Sequence, residues 1–198
     1  MFLKICGITR LVDAKLAIDA GATALGFVLW PKSPRFVSDR KVAEIAAALP
    51  TSIVTVGVFV NQSVDGIVMT MQRTGLRMVQ LHGDEPGTYA DALRWPILRS
   101  VTLDAAHALG DAWPAETTFL VDAEDPERRG GTGQAVEWTR AATLARLRRT
   151  VLAGGLTAEN VEAAIAAVQP YGVDVSSGVE AAPGLKDAKK VARFLANA

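Results

Sequence analysis

The chain has 198 residues, 49% of them hydrophobic and 21% charged, with 21 Lys+Arg balanced by 21 Asp+Glu. That length suits one domain spanning residues 1–198, and the apolar content is enough for a sizeable core, which excludes a disordered chain. Balanced charge excludes a whole-surface nucleic-acid binder, a single cysteine excludes a disulfide framework or a Cys-rich zinc site, and no apolar run approaches the roughly 18–20 residues of a membrane span.

In chain order, short apolar runs alternate with amphipathic stretches. A strand at 2–6 is followed by a helix pattern at 10–20 that Gly21 ends. A strand at 23–29 leads to a helix behind Ser38, with Val42, Ile45 and Leu49 on one face. A strand at 53–60 precedes a helix behind Ser63, where Val64, Ile67, Val68 and Met71 fall at i, i+3, i+4 and i+7 and Gly75 closes the last turn. The strand at 77–82 is followed by a helix at 86–94. The strand at 97–103 is followed by the weakest helix, 104–110, expected as a single turn before Trp113-Pro114. A strand at 118–122 leads through the loop 123–137 to a helix at 139–148. The strand at 150–153 feeds a helix behind Thr157 with Val161, Ala164, Ile165 and Val168. The last strand, 172–176, feeds a helix behind Asp187 with Val191, Phe194 and Leu195. Oxygen side chains at these helix starts can accept a free N–H, and glycine suits the ends.

Alternating strands and helices imply a parallel sheet, because parallel neighbours need a crossover. Eight units in this length predict a closed α/β fold, a (β/α)8 or TIM barrel near its minimum size, with a degenerate fifth helix. The open doubly wound sheet is the rival, but Cys6-Gly7-Ile8-Thr9 after the first strand is no G-x-G-x-x-G. Residues i and i+2 of a strand share a face. Lys4 and Cys6, Gln80 and His82, Leu120 and Asp122, and Asp174 and Ser176 therefore share the inward face. If the ring closes, the first and last strands are neighbours, and Lys4 is expected to pair with Asp174.

Catalytic groups in such barrels sit at the C-terminal strand ends. Cys6, His82, Asp122 and Ser176 occupy those ends here. Each has a plain structural reading as well: a small buried hydrophobe for Cys6, a hydrogen-bonded rim residue for His82, a loop-capping carboxylate for Asp122. His82 and His107 are too scattered in sequence for a metal set, so no metal is expected. Gly154-Gly155-Leu156-Thr157 after the seventh strand and Ser176-Ser177-Gly178 after the eighth point to a phosphate partner. Glycines let backbone N–H groups approach an anion closely, and barrels often use these two loops for it.

The ordered set Lys4-Ile5-Cys6-Gly7, Gly26-Phe27 to Ser33-Pro34-Arg35, Val56-Gly57-Val58-Phe59-Val60-Asn61, Val79-Gln80-Leu81-His82-Gly83, Asp122 with Gly131-Thr132-Gly133, Leu152-Ala153-Gly154-Gly155-Leu156 and Gly172 to Glu180 resembles the phosphoribosylanthranilate isomerase family of tryptophan biosynthesis. The resemblance spans nearly the whole chain in one register. It implies an Amadori rearrangement without cofactor or metal, with Cys6 as general base and Asp122 as general acid. It also implies phosphate bound at Gly154, Gly155, Ser176, Ser177 and Gly178, the anthranilate carboxylate at Arg35, and His82 in the substrate site. Lys4, on the face of Cys6, is the expected positive neighbour that eases formation of the thiolate. The composition of 123–137 suits a mobile lid.

A sister barrel isomerase of histidine biosynthesis performs the same rearrangement, but its resemblance predicts an aspartate where Cys6 stands. A phosphate-binding module without turnover is the alternative from another class. The N-terminal residues lack a signal-peptide layout, so a cytoplasmic enzyme with a small phosphorylated substrate is expected, with no nucleic-acid or membrane partner. Monomer and homodimer both stay open.

Overall fold

The period-2 segments fold as strands and the period-3.6 segments as helices, with the fourth and fifth helical segments departing from their expected lengths. The computed structural model describes residues 1–110, 112–122 and 137–198. The strands are β1 (Phe2–Cys6), β2 (Ala24–Val28), β3 (Val54–Phe59), β4 (Met78–Leu81), β5 (Ile97–Val101), β6 (Thr118–Val121), β7 (Thr150–Leu152) and β8 (Gly172–Val175). They pair in sequence order, all parallel, and β8 returns to β1 to close the barrel. The helices are α1 (Leu11–Asp19), α2 (Asp39–Ala47), α3 (Val64–Thr74), α4 (Tyr89–Ala92), α5 (Leu103–Gly110), α6 (Trp138–Leu147), α7 (Val161–Val168) and α8 (Ala188–Ala196). A 3-10 turn (Ser177–Val179) and a small hairpin, β9 (Glu180–Ala182) with β10 (Leu185–Lys186), follow β8.

The sheet divides the apolar interior in two. Outside the ring, residues such as Ile5, Phe27, Phe59, Val79, Phe119 and Val173 pack with the buried faces of the helices. Inside it, Phe2, Ala24, Val56, Leu98, Leu120, Val151 and Ala153 form a separate cluster. Phe27, Phe59, Phe119 and Phe194 are fully buried, each worth about 1.5–3 kcal/mol of burial. Among the described residues, no helix is long and apolar enough to cross a membrane.

The fifth helix is not degenerate: α5 has 8 residues, while α4 is the single turn, with 4. The physical reason lies in the flanks. Pro86-Gly87 and Pro96 bracket the fourth segment, and proline bars helix at the residue before it. An added Cβ on Gly87 would also collide with the carbonyl of Ala112, so the backbone there is packed close. The alanine-rich stretch 103–110 favours helix, and Thr102 Oγ1 accepts the Ala105 N–H at 3.2 Å.

Of the expected caps, Ser63 accepts the Gly66 N–H and Asp187 accepts those of Lys189 and Lys190. Gly75 ends α3 in the left-handed region. Ser38 stands at the N-cap of α2 with no side-chain cap bond. Thr157 Oγ1 accepts the Glu159 N–H at 3.2 Å, as expected of it, although helix α7 itself begins only at Val161, after Asn160. The Asn160 amide is spent on the loop before it, where Oδ1 accepts the Thr157 N–H at 2.8 Å and Nδ2 donates to the Gly155 carbonyl at 2.9 Å.

Candidate active site

Along β1 the inward positions climb from Phe2 through Lys4 to Cys6. Barrel closure sets Lys4 opposite Asp174, and their side chains meet at 2.9 Å. The expected pair is therefore present. Lys4 is fully buried and Cys6 is 7% exposed. Such a charge is tolerated inside a protein only with a partner. Burial pulls the Lys4 ammonium down, but Asp174 and then Cys6 outweigh it and hold it above its ordinary value. For the Cys6 thiol the balance is the reverse. Burial pushes it up and Asp174 adds to that, while Lys4 and, more weakly, Lys186 oppose them without prevailing.

Room for this arrangement comes from β2. Gly26 is the registered neighbour of Cys6. A Cβ there would stand 2.7 Å from Cys6 Sγ and 3.0 Å from Lys4 Cε, closer than ordinary contact allows.

Asp122 follows β6 at the same end of the barrel and is 14% exposed at its side chain. Its Oδ2 lies 3.7 Å from His82 Nε2. Gln80, one inward step below His82, sets that ring: its Nε2 lies 2.9 Å from Nδ1, and Ser100 Oγ lies 3.4 Å from Nε2. With the Gln80 amide as donor, Nδ1 is the acceptor and Nε2 of the neutral ring carries its proton on the side of Ser100 and Asp122.

Beside Asp122 a small pocket opens between the ends of β6, β7 and β8, lined by Gly154, Gly155, Ser176, Ser177 and Gly178 above Asp174. Gly154 and Gly155 both have positive φ, 77° and 66°, a succession that turns adjacent N–H groups into an anion-binding concavity. Among the described residues, the N–H groups of Gly154, Gly155, Ser177 and Gly178 have no acceptor. The Ser176 hydroxyl is buried, also without a partner. The two loops touch: an added Cβ on Gly178 would collide with the Leu156 carbonyl. The donors from β7 come from this turn and not from the start of α7, which lies further on.

Arg35 arrives from the loop after β2 and lies across the end of β1, its Cδ 2.7 Å from where a Gly7 Cβ would stand. It meets Glu180 of β9 at 2.7 Å, and Lys186 meets the same carboxylate at 3.0 Å. Burial works against the Glu180 carboxylate, yet Arg35 and Lys186 together hold it below its ordinary value. Burial wins at Lys186 and lowers it despite Glu180. Lys4, Lys186 and Arg35 thus face Asp174 and Glu180, three cations against two carboxylates, around the strand end that carries Cys6.

All nine residues singled out in the sequence therefore sit at one end of the barrel. Cys6 is linked through Lys4 to Asp174, which floors the pocket that Asp122 also lines. The expected lid, 123–137 with Gly130 to Gly133, lies outside the described residues apart from position 137. Asn160 and Lys186 had no place in the sequence reading, while Gln80 stood only as an inward-facing residue and Gly26 and Glu180 only as members of motifs, none of them with a role at the site. Only strand parity, at Gly26 and Gln80, carried a signal for any of them.

The chain matches, over residues 3–197, the family model described as N-(5'phosphoribosyl)anthranilate (PRA) isomerase. The N-(5'-phosphoribosyl)anthranilate isomerase of Pelobacter propionicus is 47% identical to it over 194 residues, 98% of this chain and 93% of that protein. The crystal structure of phosphoribosyl anthranilate isomerase from Thermus thermophilus matches with a TM-score of 0.91 at 39% identity, covering 100% of this chain and 98% of that one. A phosphoribosyl anthranilate isomerase in complex with reduced 1-(o-carboxyphenylamino)-1-deoxyribulose 5-phosphate matches with a TM-score of 0.87 at 38% identity, covering 100% and 97%.

Proposed function

The chain belongs to the N-(5'-phosphoribosyl)anthranilate isomerase family, and from that premise we propose that Cys6 is its general base and Asp122 its general acid. The reaction is an aldose–ketose isomerisation in tryptophan biosynthesis, the Amadori rearrangement of N-(5'-phosphoribosyl)anthranilate to 1-(2-carboxyphenylamino)-1-deoxyribulose 5-phosphate. Asp122 gives its proton to the furanose oxygen as the C1–O bond breaks, and the nitrogen lone pair forms the iminium. Cys6 then takes the C2 proton, whose electrons form the C1–C2 double bond of an enolamine. Return of a proton to C1, with loss of the enol proton, leaves the ketone.

The observation that carries this reading is the shared mouth. A thiol with cations beneath it and a carboxyl group open at one end of one barrel, beside two loops whose N–H groups are free to take a phosphate. At neutral pH the ordinary forms are a thiol and a carboxylate. The working forms, thiolate and carboxylic acid, hold the same number of protons, so the site reaches them by moving one proton internally. Lys4 and Lys186 lower the cost of the thiolate in that exchange. The iminium acidifies the C2 proton, so a minority thiolate suffices.

In this reading the phosphate is held at Gly154, Gly155, Ser176, Ser177 and Gly178. Arg35 takes the anthranilate carboxylate, and His82 borders the sugar beside Asp122. Residues 1–198 act as one catalytic domain in the cytoplasm, as monomer or homodimer. The test is loss of substrate fluorescence, with the imidazole substrate of histidine biosynthesis alongside. Cys6→Ala and Asp122→Asn should each lower kcat by about 10²–10⁴-fold or more, the range of one general acid or base, with unchanged circular dichroism. Near-normal kcat in either variant removes that residue from its role.

A further inference from the structure

A guanidinium can meet a carboxylate along two edges, one made by Nε and Nη2 and the other by Nη1 and Nη2. In Arg35 the first edge is already occupied. Its Nε lies 2.9 and 3.2 Å from the two oxygens of Glu180, and Nη2 lies 2.7 Å from Oε2. Among the described residues nothing bonds Nη1. The pair is nearly enclosed, with side chains 12% and 5% exposed. Glu180 is itself held fast: it accepts from Lys186 Nζ at 3.0 Å and from the Gly184 N–H at 3.2 Å. Lys186 also donates to the Ser176 carbonyl at 3.2 Å, and Thr9 donates to the Gly184 carbonyl at 2.6 Å. The hairpin carrying Glu180 is thereby fastened both to the phosphate loop after β8 and to the loop after β1.

We propose that Glu180 is a positioning residue for substrate selection: it holds the Nε and Nη2 edge of Arg35 so that the remaining Nη1 and Nη2 edge is presented to a carboxylate on the aromatic ring of the substrate. The inference rests on the reading of Arg35 as the carboxylate partner. A free arginine would lose its rotamer freedom on binding, whereas this one has lost it on folding. Because Lys186 shares Glu180, two cations answer one carboxylate, and the cluster keeps one positive charge for the ligand.

The test compares dissociation constants for reduced 1-(o-carboxyphenylamino)-1-deoxyribulose 5-phosphate and for its counterpart with a plain phenyl ring. The native protein should prefer the carboxylated ligand by about ten- to a hundredfold, the range of a charge-assisted contact. Glu180→Gln should cut that preference to about threefold or less while the plain-phenyl constant shifts by no more than about twofold, since only a preorganised carboxylate contact is lost. Glu180→Asp keeps the charge but falls a methylene short, so it should also lower the preference. It supplies the readout if Glu180→Gln melts below the assay temperature. An unchanged or larger preference in a folded Glu180 variant overturns the proposal. Arg35→Met separates the two layers. If it keeps the native preference, the reading of Arg35 is wrong; if it loses the preference while both Glu180 variants keep it, only the positioning role fails.

Discussion

Gly26→Ala places one methyl group against the reacting thiol. The new Cβ would lie 2.7 Å from Cys6 Sγ and 3.0 Å from Lys4 Cε. Ordinary contacts between such atoms run to about 3.5–4.0 Å, so the sulfur has to retreat by about 1 Å. A displacement of that size at a reacting group costs about a hundredfold in kcat. Overpacking costs about 1–3 kcal/mol of stability, which in a chain of this length lowers Tm by about 2–12 °C. The control is Gly57→Ala on the next strand, whose Cβ would stand 2.9 Å from Phe59 Cε2 and 3.0 Å from Leu76 Cδ1, on the helix side of the sheet. It should lose comparable stability and keep kcat within about threefold, because the overpacking is spent away from the thiol. Substrate fluorescence gives kcat and KM separately, and thermal melts give Tm. If Gly26→Ala keeps native kcat, or Gly57→Ala loses as much, then crowding of Cys6 is not what the glycine prevents.

Two further outcomes follow from the same geometry. Lys4→Met alone would strand Asp174 as a buried charge, at a cost of about 3–5 kcal/mol, so it is combined with Asp174→Asn. Lys4 lowers the Cys6 thiol by more than Asp174 raises it. The double variant should therefore move the falling limb of the kcat/KM–pH profile, which reports the thiol because the active pair carries a single proton, to higher pH and lower the plateau between the limbs. An unmoved limb with a native plateau would show that Lys4 does not tune the base. Asn160→Ala removes two hydrogen bonds that shape the Gly154-Gly155 turn. At about 0.5–1.5 kcal/mol each, their loss should raise KM and the inhibition constant of inorganic phosphate together by roughly fivefold or more. A native phosphate constant in a folded variant would separate that turn from phosphate binding.

The barrel and the faces of its strands were legible in the sequence because hydrophobic period is a local property. Alternation alone put Lys4, Cys6, Gln80, His82, Asp122, Asp174 and Ser176 on the inward side. Closure of eight strands then made β1 and β8 neighbours, which allowed Lys4 to pair with Asp174, and their register sets the two opposite each other. The lengths of α4 and α5 were misjudged because Pro86-Gly87, Pro96 and the close approach at Gly87 act through neighbouring segments. The space beside Cys6 depends on the register of β2 against β1, which no single strand encodes. The sequence also led to Arg35, yet not to which edge of its guanidinium is free. That was decided by Glu180, 145 residues away along the chain, because the partner of a buried charge is chosen by the fold that surrounds it.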